Sequence, residues 1–254
     1  MTRLSSRRVR AVFAKDLREF RRNRSLTITM GIIPVVFSIQ PLVTVLTLSS
    51  SASTTLRHEH ALLYMLAIPA LVPALVAAYS IVGERQQGTL EPVLTTPIRR
   101  EEFLLGKALA ALVPSIVVAY LVFGLFLAGV ELFAAPSVAS AVIRVPDLLA
   151  QLVFTPLLAG WSIWTAMLIS TRANDVRVAQ QLAMLASLPS VALIVLVALN
   201  VIPASLVTAV IAAAALLLLN RIRYRATAAG SLERADPTSI EMAEFSARPG
   251  CRRR

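Results

Sequence analysis

The feature that most constrains this chain is a series of uncharged apolar runs, each about as long as a bilayer is thick. About 20 apolar residues in a helix cross the hydrocarbon layer. Six such runs fall at 26–48, 61–82, 108–130, 148–170, 179–199 and 204–220. A soluble domain carries roughly a quarter charged residues, whereas this chain carries 15% and is 57% hydrophobic, with a mean hydropathy of +0.73. The short alternating segments of a membrane β-barrel are not seen. The expected class is all-α: a polytopic membrane protein with six transmembrane helices. The last two spans meet at "NVIP" with almost no loop, so they form either a tight hairpin or a pair in which one member is partly re-entrant.

The first run exceeds the apolar core of a secretory signal peptide, about 7–15 residues. It is therefore read as a span, although "SSSAS" at 49–53 has the small residues of a cleavage site. The only cysteine is Cys251, which rules out an intrachain disulfide and cysteine-based metal sites. Lysine occurs only at Lys15 and Lys107. The dominance of arginine reads as GC-rich coding rather than as function.

Positive charge orients the spans. Arginine and lysine accumulate on the cytoplasmic side of membrane proteins. With both termini inside, the inner segments 1–25, 84–107, 171–178 and 220–254 hold nine, four, two and eight of them, 23 of the 25. The outer loops hold Arg57 and Arg144. The expected location is the cytoplasmic (plasma) membrane, multi-pass, with the N- and C-termini inside. The net charge of +11 lies mainly in tails beside an anionic leaflet, where each basic residue contributes on the order of 1 kcal/mol. It calls for no nucleic acid.

The chain divides into a cytoplasmic amphipathic helix (1–25), a six-span domain (26–220) with a charged loop at 83–107, and a basic tail (221–254) expected to be disordered. In 7–24, Val9, Val12, Phe13, Leu17 and Phe20 recur at helical spacing on one face and charges fill the other. Such a helix lies in the membrane interface, on lipid alone or also against a cytoplasmic partner.

Chemistry-bearing patterns are sparse. No ionisable residue falls well inside a span, which argues against a proton-driven carrier. G-x-S-x-G and H-E-x-x-H are missing. "HEH" at 58–60 reads as a solvated loop rather than a metal site, and Glu101-Glu102 as charged loop residues; no metal site is expected. The phosphate-loop pattern is not met, because Ala108 follows Gly106-Lys107 and Glu101 stands where the first glycine belongs. The chain is not expected to be an enzyme. Thr29, Ser38, Gln40, Tyr64, Tyr79, Ser187 and Ser190 suit an amphipathic substrate and structural hydrogen bonds equally well. Prolines 34, 41, 69, 73, 114, 156 and 189 sit within spans and favour kinks.

The segment 83–107, "GERQQGTLEPVLTTPIRREEFLLGK", resembles the segment between the second and third spans of type-2 ABC transporter permeases, the membrane subunits of ATP-driven exporters. That family's pattern is roughly E-R-x-x-G-T-L-E-x-L-L-x-[ST]-P-[IV]-x-R-x-E-[IF]-L-L-G-K. It is met by Glu84, Arg85, Gly88, Thr89, Leu90, Glu91, Leu94, Thr96, Pro97, Arg100, Glu102, Leu104, Leu105, Gly106 and Lys107. Pro92 is a departure at a position where the family tolerates many residues. The resemblance implies an ABC-type exporter permease that pairs with a second permease chain, as homo- or heterodimer, and couples to a separate ABC ATPase subunit. ATP and Mg are then expected in the partner, with none bound by this chain. It also implies a coupling helix here; from their positions, Glu84 and Arg85, where the second span leaves the membrane, are expected to contact the cytoplasmic helices, and Glu91, Arg99 and Arg100 to face the ATPase. A secondary transporter or channel without an ATPase is the alternative.

The charge asymmetry yields a topology test. A cysteine introduced near His58 or Pro136 reacts with an impermeant thiol reagent on intact cells, and one near Thr95 or Asn174 does not. Labelling at Thr95 from outside overturns the orientation.

Overall fold

The computed structural model describes residues 5–47, 60–86, 100–173 and 175–233, and every regular element among them is helical. In chain order these are α1 (Ser6–Arg22), α2 (Arg24–Thr47), a 3-10 turn (Ala61–Leu66) running into α3 (Ala67–Gln86), α4 (Arg100–Phe133), the short α5 (Pro136–Val142), α6 (Val145–Ser170), α7 (Val176–Ala198) and α8 (Leu206–Glu233). Six stretches are long and apolar enough to cross a membrane: Met30–Thr47, Leu62–Glu84, Glu101–Phe133, Val145–Ser170, Val176–Ala198 and Leu206–Thr227. The chain is an all-α multi-pass membrane protein. The helices alternate in direction, so the start of α2, the end of α3, the start of α4, the α6–α7 turn and the end of α8 share one end of the bundle with α1.

The centre of the bundle is α3. Its spanning stretch is 89% buried, whereas that of α8 is 0% buried. The sequence explains this. Lipid tails are as apolar as leucine, so helices associate in lipid through close packing of small residues rather than by escaping water. Ala70, Ala74, Ala77 and Ala78 of α3 are fully buried. Three of them cluster with Ala110 and Ala111 of α4, Ala166 of α6, and Ala179 and Ala183 of α7. The outward faces of α2, α7 and α8 carry exposed Val36, Leu185, Leu193, Val207 and Ile211, which suit lipid.

Side-chain hydrogen bonds add direction to this packing. Pro73 has no N–H, so the carbonyl of Pro69 loses its helical partner; Ser162 Oγ of α6 approaches that oxygen at 3.5 Å. Ser170 Oγ donates to the Ala78 carbonyl at 2.8 Å, and Gln180 Nε2 to that of Leu75 at 3.3 Å. These bonds align α6 and α7 along α3.

At 34 residues, α4 is about 51 Å long, well beyond the roughly 30 Å hydrocarbon layer. Its first turns form the ledge on which α1 rests. At the opposite end, α7 closes with Asn200 at φ 57°, a left-handed conformation that asparagine tolerates. The Val201 N–H returns to the Leu196 carbonyl at 3.0 Å. α7 and α8 are thus joined by a short turn and each is long and apolar enough to span, while α8 packs mainly against α6.

Two features differ from the sequence reading. The loop after the third span contains α5, started by Pro136 in the first turn, where its missing N–H costs nothing. Val138 and Val142 of α5 pack with Val130, Phe126 and Val45. α8 continues past 220 to Glu233, into the segment assigned to the tail.

Close packing around α3 is directly testable. Ala78→Leu places a branched side chain where there is no room and costs about 1–3 kcal/mol. Val207→Leu, on the exposed face of α8, leaves stability unchanged. Thermal unfolding of the purified protein in detergent compares the two; equal midpoints contradict the tight α3 packing.

Candidate functional site

The most polar buried part of the chain lies where α1 crosses the start of α4. Gly106 permits the crossing. A Cβ there would come within 2.7 Å of Val12 Cβ and 3.1 Å of the Val9 carbonyl oxygen. Without one, α1 approaches closely enough for Val12, Asp16 and Phe20, spaced four apart on one face, to be buried.

The next residue, Lys107, is 1% exposed. Its Nζ lies 3.1 Å from Asp16 Oδ2 of α1 and 2.9 Å from Glu84 Oε2 of α3, and donates to the Ser80 carbonyl at 2.8 Å. Lys15 Nζ donates to Glu84 Oε1 at 2.6 Å. One turn before Lys107, buried Glu102 accepts the Ser5 N–H at 2.7 Å and Arg8 Nη1 at 3.2 Å. A carboxylate there satisfies an amide left open at the helix start and complements its dipole. At the other end of α1, Asn23 Nδ2 donates to the Tyr79 hydroxyl at 3.0 Å. The helix is thus fixed at its start, middle and end, to α4 and α3.

Burial and charge compete at this crossing. Burial pushes the Asp16 carboxyl above its ordinary value, and the Lys107 ammonium only partly offsets this. Glu19 is pushed the same way by burial and by the charge of Glu84. Burial lowers Lys15, but its bond to Glu84 and that residue's charge outweigh the effect and hold it above the ordinary lysine value. Ligand atoms of Asp16, Glu19 and Glu84 lie within 4.8 Å of one another, close enough to share a cation. The cation the chain itself supplies is the Lys107 ammonium. Among the described residues, Asp16 Oδ1 is buried without a hydrogen bond.

The structure brings together Glu84, Glu102, Gly106 and Lys107 from the charged loop's flanks with Val12 and Phe20 of α1. Val9, Phe13 and Leu17 are half-buried on the same helix. Arg100 opens α4, and Arg85 lies in the last turn of α3; the side chains of both fall outside the described ones. Gly88, Thr89, Leu90, Glu91, Pro97 and Arg99 lie in 87–99, outside the described residues. Asp16, Lys15 and the Ser80 carbonyl were not singled out from sequence. One signal was available: the chain has two lysines, and both contact Glu84.

A second charged group sits at the far end. His60 Nδ1 lies 2.7 Å from Asp147 Oδ1, and Arg144 Nη2 lies 3.0 Å from Asp147 Oδ2. The His60 N–H donates to the Ala198 carbonyl at 3.0 Å. This corrects the solvated-loop reading of "HEH" for His60. Asp147 is 3% exposed, and a buried carboxylate needs charged partners. His58 and Glu59 lie outside the described residues.

Among the described residues, nothing in the α1–α4 crossing pairs a nucleophile with a base. Its charges tie three helices together. The sequence pattern that describes the ABC-2 family transporter protein matches residues 10–237, which takes in the crossing and all six spans. A comparison with curated proteins gives no match.

Lys107→Met strands Asp16, leaves Glu84 with Lys15 alone, and costs about 3–5 kcal/mol. Adding Asp16→Asn and Glu84→Gln recovers part of that loss, because no buried charge is left unmatched. The Asp16 contribution also has a defined pH dependence. Its folded-state value is raised, so its stability contribution is complete below the ordinary aspartate range and is lost as pH rises through the elevated value. Asp16→Asn removes that dependence. Thermal unfolding in detergent across pH measures both effects; a Lys107→Met variant as stable as its parent contradicts the electrostatic assignment.

Proposed function

The chain belongs to the ABC-2 transporter family, and from that premise we propose that it is the permease subunit of an ABC-type exporter, coupled to a separate ATPase subunit. In this reading two permease chains face each other and form the substrate path. ATP and Mg are held by the partner ATPase. The protein sits in the cytoplasmic membrane with both termini inside, as the 23 of 25 basic residues on that side support. The α1–α4 crossing is then on the cytoplasmic face, with the polar face of α1 toward the ATPase and its apolar flank against lipid.

The observation that carries the coupling role is the clamp across the charged loop. Glu84 precedes 87–99 and Lys107 follows it, and their charged atoms are 2.9 Å apart. Both also contact α1. A push on the intervening segment is therefore delivered to α1, α3 and α4 together. Because α3 is the central helix, its displacement reaches α4, α6 and α7, which pack around it. Substrate movement follows from this rearrangement, while the chemistry of ATP stays in the partner.

The test is reconstitution of the permease with its ATPase. Glu84→Ala and Leu90→Asp, in complexes that still assemble, lower transport-linked ATP turnover and export. Glu233→Ala, at the end of α8, leaves both unchanged. Wild-type turnover, assembly and export in Glu84→Ala and Leu90→Asp contradict the coupling role. Substrate movement by the purified chain without an ATPase favours a channel or secondary transporter.

A further inference from the structure

On the α1 side of the bundle, the end of α6, the start of α7 and the last part of α8 enclose an open groove of about 510 Å³. Its lining is divided. Leu168 of α6 and Val178 and Leu182 of α7 form an apolar wall, while Arg172 and Arg223 supply two cations. Val178 and Leu182 lie four residues apart on α7, and both are exposed, so the wall continues onto the outer surface of the bundle. Asp175 also lines the groove, but its Oδ1 accepts the Arg177 N–H at 2.7 Å and caps α7. Among the described residues, neither arginine is paired with a carboxylate. Arg223 lies over the Trp161 ring at 4.9 Å, a contact that positions the guanidinium without neutralising it.

The level of the groove is marked independently. Trp164 lies within the last two turns of α6, and its ring meets that of Tyr224 of α8 edge to face at 5.1 Å. Such aromatic residues gather at the headgroup layer of a membrane. The groove thus has cations and an apolar wall at the depth where lipid headgroups meet their chains.

We propose that this groove binds an anionic phospholipid of the surrounding leaflet, with its phosphate on Arg172 and Arg223 and an acyl chain along Leu168, Val178 and Leu182. A basic pocket between helix ends recognises such headgroups by charge, and the hydrocarbon wall supplies the affinity that a free phosphate lacks. The leaflet follows from the orientation proposed above. The site itself does not depend on it, nor on coupling to an ATPase.

The test uses the full chain, purified in detergent, delipidated and titrated with phosphatidylglycerol, phosphatidylcholine or inorganic phosphate, with binding followed by native mass spectrometry and thermal shift. Phosphatidylglycerol binds and raises the unfolding temperature; phosphatidylcholine and phosphate do neither at the same concentration. Arg172→Gln, at an exposed position, weakens phosphatidylglycerol binding about fivefold, and the double variant with Arg223→Gln about 25-fold. Arg10→Gln on the exposed face of α1 leaves it unchanged. Unchanged binding in Arg172→Gln overturns the proposal even if the double variant fails to fold. Equal binding of phosphatidylcholine overturns the anionic assignment, and equal binding of inorganic phosphate overturns the lipid one. Export of phosphatidylglycerol by reconstituted complexes, lost in Arg172→Gln, makes the anion a cargo and also overturns the resident-lipid reading.

Discussion

The interaction on which the α1 end of this protein depends is the burial of one ammonium group. Lys107 is removed from solvent at the start of α4, and an unmatched charge there is untenable. Its counter-charges come from two other helices, Asp16 of α1 and Glu84 of α3. Three elements distant in sequence are therefore held at one point. The hydrophobic contacts of α1, Val12 against Gly106 and Phe20 in the core, bring it onto its neighbours. The charge network fixes its register.

Deeper in the bundle the cohesive force differs in kind. Where α3 meets α4, α6 and α7 the buried cluster is rich in alanine, and cohesion comes from many short-range dispersion contacts between closely spaced helices. Such packing is rigid to compression but carries little directional preference. The hydrogen bonds from Ser170 and Gln180 to α3 carbonyls supply direction. These bonds reach α3 at Leu75 and Ala78, in the same stretch as the packed Ala74, Ala77 and Ala78, so close packing and directional bonding act on the same part of the central helix.

The six spans were legible because their signal is simple: length and absence of charge. The charged clamp was only half legible. Glu84, Glu102, Gly106 and Lys107 stood out through the pattern they belong to. Asp16 did not, because helical periodicity assigns a charge beside Lys15 and Glu19 to the solvated face. Periodicity cannot know that α4 offers a cation to that face. His60 was misread for a similar reason, since its partner Asp147 is remote in sequence. The short α5 was missed because apolar content and a proline are common to loops and helices alike. In each case the missing information was a contact between segments far apart along the chain.

The oxygen shell around Lys107 has a consequence for what this position accepts. A lysine ammonium carries three protons, and three oxygens, from Asp16, Glu84 and the Ser80 carbonyl, lie within 3.1 Å of it. Asp16 Oδ2 and the Ser80 carbonyl accept hydrogen bonds from it, and Glu84 Oε2 is its ion-pair partner. An arginine would bring five donors in a flat fork, more than these three oxygens accommodate and in the wrong shape. Elsewhere the chain spells positive charge almost wholly with arginine. The exchange that sequence-similarity scoring ranks as the mildest is therefore, at this one position, among the least tolerable. A library that randomises the chain's cations would find it an isolated point of intolerance among positions where either residue serves.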